Sequence, residues 1–163
     1  MELASTPKVD RLAVSAYTVP TETPESDGTF AWSETTLVLV EVAACGVAGL
    51  GYSFADVPTA NLIDAHLRPS VVGYNPLNIP ELWSRMVRNI RNLGRPGICS
   101  MAISAVDNAL WDLKARLLHL CVADLLAGVY CQPQISLPAA PDNALKSHDL
   151  PAPLRPNGRI TLF

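Results

Sequence analysis

The first third of the chain alternates between apolar and polar positions with the period of two that is typical of β-strands. Such runs cover residues 8–19, which end at Pro20, residues 35–42 and residues 47–54. The run at 35–42 is the richest in β-branched residues, which favours a central position in a sheet. Because the connections are short, the three strands are predicted to form an antiparallel meander.

The segments between these strands carry turn-forming residues. Residues 21–28 (TETPESDG) are polar and predict a loop, and Ala44-Cys45-Gly46 predicts a tight turn. Gly49 and Gly51 would weaken an ordinary strand. They therefore indicate a bend or a close approach of another backbone to the third strand.

After Phe54 the apolar period lengthens to nearly four, which is typical of helices. Asp56 is the expected cap of a short helix that Pro69 ends. Asn78 and Glu81 form a capping-box-like start of a second helix, and Gly94 stops it. The apolar face predicted for this second helix consists of Leu82, Trp83, Met86, Val87 and Ile90.

The longest helix is predicted over residues 101–118, and a short final turn over 121–126. One face of the long helix carries Ala102, Val106, Ala109, Leu110, Leu113 and Leu117. The predicted fold class is therefore α+β, a three-stranded antiparallel meander followed by a helical bundle. Residues 1–128 are expected to form this single domain.

From Tyr130 onward six of the fourteen prolines occur, and no hydrophobic period survives between them. Such a segment cannot bury enough apolar surface to offset its ordering entropy. Residues 129–163 are therefore predicted to be an irregular or disordered, Pro-rich tail.

Composition narrows the class of protein. Hydrophobic residues make up 49% and charged residues 17%, as in globular domains, and the net charge of −3 argues against nucleic-acid binding. Neither a secretory signal nor a membrane span is apparent, so a cytoplasmic location is expected and no membrane partner. The four cysteines are irregularly spaced and are expected to be reduced.

Two stretches resemble a known family. Residues 27–63 are similar to the strand–turn–strand and following loop of the mandelate racemase/muconate lactonizing amino-terminal domain, within the enolase superfamily. Residues 102–128 are similar to its signature helix, with Ala109-Leu110-Trp111-Asp112-Leu113 matching the first part. The chain departs from the pattern at Cys121, where proline is usual, and at the alanine that interrupts Leu125-Leu126-Gly128.

The resemblance implies a domain that caps a (β/α)8 barrel, in which Mg²⁺ stabilises the enediolate formed by proton abstraction next to a carboxylate. It also implies that the metal ligands, a Lys-x-Lys pair and a His-Asp dyad lie on that barrel. A barrel needs at least ~200 residues, whereas 35 follow Gly128 and no Lys-x-Lys occurs. The chain is therefore expected to be truncated before the barrel, with no catalytic residue, metal ligand or cofactor of its own.

What the resemblance leaves to this chain is two capping loops, which correspond to residues 21–32 and 52–58. Phe30, Trp32, Tyr52 and Phe54 are the candidate substrate contacts, since aromatic side chains there could exclude water from the site. The alternative is that they are ordinary core aromatics of a small sheet. The two alternatives stand equal for Phe30 and Trp32, whereas the glycines and loop beside Tyr52 and Phe54 favour contact.

Other polar residues have simpler interpretations. Asp107 and Asp112 lie five apart and so do not share a helix face, and Asp112 is expected to pair with Arg116 on the surface. His66 and His119 lack the neighbours of a metal site.

A basic stripe follows the second predicted helix at near-helical spacing and comprises Arg85, Arg88, Arg91 and Arg95. It is interpreted as a solvated helix face or a subunit contact. Nucleic-acid binding is disfavoured, because no aromatic interleaving accompanies the stripe.

Three functions follow as hypotheses. The first is a substrate-capping fragment of a racemase, acid-sugar dehydratase or cycloisomerase that is inactive alone and meets a carboxylate substrate only in a complete enzyme. The second is a non-catalytic module that pairs with a separately encoded barrel chain, and the third an unrelated interaction protein. A lid without a barrel would expose apolar surface, which predicts self-association.

Overall fold

The computed structural model describes residues 6–127, so the prediction of an irregular tail at 129–163 lies outside the described residues. Three strands come first: β1 (Arg11–Ser26), β2 (Ala31–Ala44) and β3 (Val47–Phe54). The helical part consists of α1 (Val57–Leu62), a π-helical turn (Ile63–Leu67), α2 (Arg68–Val71), α3 (Ile79–Asn89), α4 (Ile98–Leu117) and α5 (Val122–Ala127). The predicted α+β fold, an antiparallel meander followed by helices, is confirmed. No helix within residues 6–127 is long and apolar enough to cross a membrane.

The sheet has the order β1-β2-β3, with both pairings antiparallel. One face of the central strand is completely buried and carries Val38, Val40, Val42 and Ala44. Alternation along the strand places its odd-numbered residues on the other face. The helices cover the first face alone, so the sheet has an inner and an outer surface.

The turn between β2 and β3 consists of Cys45 and Gly46. Their φ angles are +53° and +77°, and a two-residue turn of type I′ needs positive φ at both positions. The carboxylate of Asp10 accepts the Cys45 N–H at 3.0 Å, which supports the non-glycine residue in this conformation. The predicted turn is confirmed.

Helix α4 lies directly against the backbone of β3 at two glycines. A Cβ added to Gly49 would fall under 3.0 Å from backbone atoms of Leu113 and Ala109. One added to Gly51 would meet Ala105 and Ala109 at equally short distances. The prediction of a close backbone approach at these glycines is confirmed, and the small residues of α4 complete the contact.

Helix α4 begins at Ile98, three residues before the predicted start at 101. Gly97, with φ +80°, ends the preceding turn, and Cys99 is already part of the core. The predicted inner face is otherwise correct, since Ala102, Val106, Ala109, Leu110 and Leu113 are buried and Leu117 is partly buried.

The prediction that Pro69 ends the first helix is wrong. The Arg68 N–H donates to the Ile63 carbonyl in the wider π-helical turn, and Pro69 then occupies the first turn of α2. Since α2 follows the π-helical turn without a break in the helical backbone, Pro69 removes one helical hydrogen bond but does not end the helix. Asp56 caps α1 as predicted, and its Oδ1 accepts the Val57 N–H at 2.7 Å.

Helix α3 differs from prediction at two side chains. Asn78 precedes the helix as predicted, but its amide donates to the Glu81 carboxylate at 2.9 Å and does not cap a backbone group. Trp83 was predicted to be buried and is 37% exposed. Its ring lies outside the core beneath the guanidinium of Arg95, with 4.9 Å between the Arg95 Cζ and the ring centroid.

The prediction of a loop at residues 21–28 is also wrong. Strand β1 continues to Ser26 and β2 already starts at Ala31, so residues 20–34 form a two-stranded ribbon beyond the end of β3. Pro20 pairs with Glu34 and Glu25 pairs with Trp32, so β1 spans five residues where β2 spans two. This difference marks a bulge in β1. β1 is an edge strand, where proline and bulges are tolerated because one side makes no ladder.

Asp27 organises the turn at the tip of this ribbon. Its Oδ1 accepts the Thr29 hydroxyl at 2.7 Å and the N–H groups of Thr29 and Phe30 at 2.9 Å each. These hydrogen bonds, led by that of the Thr29 side chain, lower the pKa of Asp27 from 3.8 to about 2. The turn is therefore held by a carboxylate that is ionised under all but strongly acidic conditions.

We expect Gly51→Ala to lower the free energy of unfolding by about 3 kcal/mol, because the new methyl group must displace the α4 backbone. Leu50→Ala, on the other face of the same strand, removes a half-exposed side chain and should cost less than about 1 kcal/mol. Urea unfolding followed by circular dichroism measures both. Equal losses in the two variants would contradict the close contact.

We expect the Asp27 carboxyl to titrate at about pH 2 in the folded chain, and Thr29→Ala to move its pKa back towards 3.8. Because the folded pKa lies below the ordinary value, the contribution of Asp27 to ribbon order is complete above pH 4 and is lost as the pH falls through 2. Carboxyl carbon NMR shifts measure the titration, with Thr35→Ala as the control. An Asp27 pKa near 3.8 in the unaltered chain would contradict the tip geometry.

Candidate functional site

The four candidate aromatic residues form two separate pairs. The rings of Phe30 and Trp32 are stacked, with centroids 6.5 Å apart and 16° between their planes. The rings of Tyr52 and Phe54 meet edge to face, with centroids 5.9 Å apart and 81° between planes. Both arrangements are favourable for aromatic pairs. The first pair lies on the ribbon and the second at the end of β3.

The register of the sheet places these pairs on opposite faces. Tyr52 and Phe54 lie opposite Leu39 and Leu37, on the outer face. Trp32 is even-numbered in the same continuous strand as those leucines, so alternation puts it on the inner side. The structure therefore assembles two aromatic surfaces and does not bring the four rings into one cluster.

The alternative that these residues are core aromatics is wrong for three of them. The exposed fractions are 69% for Phe30, 56% for Tyr52 and 63% for Phe54, while Trp32 is partly buried. Exposing large rings forgoes roughly 1.5–3 kcal/mol of burial free energy per side chain. Their capping role stays a prediction, but these rings are available to a ligand or partner.

The ring of Trp32 is held in place by a neighbouring acid. Its indole N–H donates to the Glu25 carboxylate across the ribbon at 2.9 Å. Residues 12–67 contain no lysine or arginine, and their acidic residues are Glu22, Glu25, Asp27, Glu34, Glu41, Asp56 and Asp64. This excess of acidic residues can be read from the distribution of charges along the sequence, but the prediction of the site rested on motifs and did not use it. The ribbon can thus supply apolar contacts to an anionic ligand but no countercharge.

The second predicted capping segment, 52–58, is mostly regular structure. Tyr52 to Phe54 belong to β3, and α1 begins at Val57, so only Ala55 and Asp56 connect them. The Ala55 N–H donates to the Thr36 carbonyl at 3.2 Å. Both candidate rings of this segment are therefore carried by a strand and not by a mobile connection.

Asp112 has a larger role than the predicted surface pair. Its Oδ2 accepts the Arg116 Nε–H at 2.9 Å, which confirms the pairing, and also the Leu50 N–H at 2.8 Å. The second bond ties α4 to the free edge of β3. Asp107 faces elsewhere, as predicted, and burial raises its pKa while a hydrogen bond from Trp111 partly opposes the shift.

Metal ligands were expected to lie outside this chain. Within residues 6–127 no three His, Cys, Asp or Glu side chains come together in a way that could hold a metal ion. His66 and His119 belong to no such group.

Comparison with known proteins gives this fold a family. Residues 12–127 match the model of the mandelate racemase/muconate lactonizing enzyme N-terminal domain. The chain is 33% identical over 112 residues to the 3,6-anhydro-alpha-L-galactonate cycloisomerase of Streptomyces coelicolor, a match that covers 65% of this chain and 31% of that protein.

Solved structures agree with this match. A mandelate racemase/muconate lactonizing enzyme-like protein from Rubrobacter xylanophilus aligns with a TM-score of 0.71 and 53% identity, over 72% of this chain and 33% of that one. The L-talarate dehydratase from Polaromonas sp. JS666, solved with Mg and L-glucarate, aligns with a TM-score of 0.64 and 31% identity, over 74% and 35%.

The chain spans about a quarter to a third of the length of the curated relatives that it matches. The residues that match the family model contain the meander, the ribbon and the long helix α4. On these grounds the chain belongs to the mandelate racemase/muconate lactonizing enzyme family of the enolase superfamily, through its N-terminal domain.

Proposed function

We propose that residues 12–127 act as the substrate-capping domain of an enzyme that abstracts a proton next to a carboxylate. The observation that carries this proposal is the ribbon, which displays Phe30 and Trp32 beyond the sheet. A ribbon fixed at its tip by Asp27 and along its length by the Trp32–Glu25 bond presents these rings in a defined position. Rings so placed exclude water from a site that they cover.

The charge of the ribbon limits what it does to a substrate. Since residues 12–67 carry no cationic side chain, the cap would contact the uncharged part of an acid substrate. The substrate carboxylate would be neutralised by Mg²⁺ on the barrel, as the resemblance implies. In this proposal the capping domain shapes the site and excludes water from it, and the barrel carries the groups that catalyse the reaction.

We further propose that this chain alone does not turn over substrate. Support comes from residues 6–127, among which no three His, Cys, Asp or Glu side chains come together in a way that could hold a metal ion. The relatives named above include a cycloisomerase and a dehydratase, which supports an isomerisation or an elimination as the parent reaction.

The second candidate is a non-catalytic module that pairs with a separately encoded barrel chain or with itself. It is favoured by the outer face of the sheet, where large side chains are left exposed: Tyr17, Val19, Leu50, Tyr52 and Phe54. An apolar surface of this kind commonly marks a protein–protein contact.

The purified chain should show no Mg²⁺-dependent deuterium exchange at the α-carbon of 3,6-anhydro-L-galactonate or L-talarate, the acids that the names of the relatives above contain. A chimera of the Streptomyces coelicolor cycloisomerase that carries residues 12–127 in place of its own matching segment should be active. In that chimera Phe30→Ala and Trp32→Ala should each lower kcat/KM about tenfold, as expected when a contact of roughly 1.4 kcal/mol is lost in the transition state. NMR exchange and steady-state kinetics measure these effects.

Trp83→Ala is the matched control, because this tryptophan is also partly exposed but lies on α3, outside the ribbon. It should leave kcat/KM within about twofold of the unaltered chimera. Exchange catalysed by the chain alone would contradict the proposed inactivity. Equal losses for Trp32→Ala and Trp83→Ala would contradict the capping role of the ribbon, and recovery of activity on mixing with a barrel chain would support the second candidate.

A further inference from the structure

A surface cavity of about 470 Å³ opens between α2 and α3, away from the aromatic pairs. The residues that line it are Pro69, Ser70, Arg85, Arg88 and Asn89. Two are cationic, two are hydrogen-bonding and none is acidic. The lining therefore has the composition of an anion-binding site.

The neutral side of the cavity is held in place by its own hydrogen bonds. Ser70 is almost fully buried, and its Oγ accepts a hydrogen bond from the Asn89 side-chain amide at 3.1 Å. The same amide donates to the His66 carbonyl. Because the Ser70 oxygen acts as an acceptor here, its hydroxyl proton is left for another acceptor.

The Arg85 guanidinium is held in one orientation, and not all of its N–H groups have an acceptor. Its guanidinium carbon lies 3.6 Å from the centroid of the Tyr74 ring, which fixes the plane of the group. Its Nη1 is 3.5 Å from Glu81, whose other oxygen accepts the Asn78 amide at 2.9 Å. The Arg85 Nε is buried and has no acceptor among the described residues. This guanidinium thus retains donor capacity, and its side chain is partly exposed at the surface.

Arg88 lies three residues further along the same helix face and is exposed. Its Nε donates to the Ser84 carbonyl at 3.2 Å, which positions the side chain and leaves the two terminal nitrogens for a ligand. Residues 68–127 contain seven lysines and arginines against four acids, so the surroundings add to the positive potential.

We propose that this cavity binds a small oxyanion, a carboxylate or phosphate group, through the terminal nitrogens of Arg88 with help from Arg85 and the Ser70 hydroxyl. Guanidinium groups suit this ligand class because their paired N–H groups match two oxygens at once. Glu81 opposes binding, but its oxygens are already engaged by Arg85 and Asn78. The site uses neither the ribbon nor the residues at the end of β3, so it stands or falls independently of the capping role.

The test is an NMR titration of the ¹⁵N-labelled full chain with sodium phosphate and, separately, with sodium malonate, at ionic strength held constant with NaCl. The amides of Ser70, Arg88 and Asn89 should shift and saturate, with a dissociation constant of about 1 mM for at least one of the two anions. The anion that saturates identifies the source of the oxyanion. Shifts that stay linear for both, or that NaCl alone reproduces, would overturn the proposal.

Variants separate a built site from general attraction. Arg88→Gln should weaken binding about tenfold, which is equivalent to about 1.4 kcal/mol. Arg91→Gln removes the same charge from the exposed turn after α3, outside the cavity, and should change affinity less than about twofold. Arg88→Lys keeps the charge but lacks the paired N–H donors, so its affinity for the anion should lie between those of the Arg88→Gln and Arg91→Gln variants. Equal weakening by the Arg88→Gln and Arg91→Gln substitutions, or full affinity in the lysine variant, would refute the proposed contact.

Discussion

The fold depends on the contact between the α4 backbone and the β3 backbone. Gly49 and Gly51 present no side chains towards the helix, so Ala105 and Ala109 approach the strand itself. At this distance a carboxylate on the helix reaches the free edge of the strand, which is why Asp112 can accept the Leu50 N–H. The long helix thereby covers the inner face of the sheet, and the aliphatic core fills the remaining space on either side.

Much of this arrangement follows from the sequence, because its signals are local. The strand period, the Cys45-Gly46 turn and the two glycines each report a constraint that acts within a few residues. Residues 21–26 were not recognisable as a strand, since their pairing with β2 supplies what their composition lacks. Pro69 was misjudged because a π-helical turn absorbs the disruption that a regular helix could not.

The candidate site shows the same division between local and non-local information. The sequence identified the aromatic residues but could not assign their faces, since that assignment needs the register of β2 against β3. The net charge of the whole chain also conceals an uneven distribution, because residues 12–67 carry seven acids and no lysine or arginine, whereas residues 68–127 carry seven lysines and arginines and four acids. In the two proposals this uneven distribution separates the ligands, since the ribbon contacts the uncharged part of a substrate and the α2–α3 cavity binds an anion.

The bond from Asp112 to Leu50 has a consequence for how this sheet can grow. A strand added beside β3 would need that N–H as a donor, and the carboxylate already occupies it. At the other edge, Pro20 and the bulge after it interrupt the row of donors and acceptors that β1 could offer. Each edge therefore lacks a free hydrogen-bonding group at one point. Contacts between copies would form more readily between sheet faces than by extension into a longer sheet.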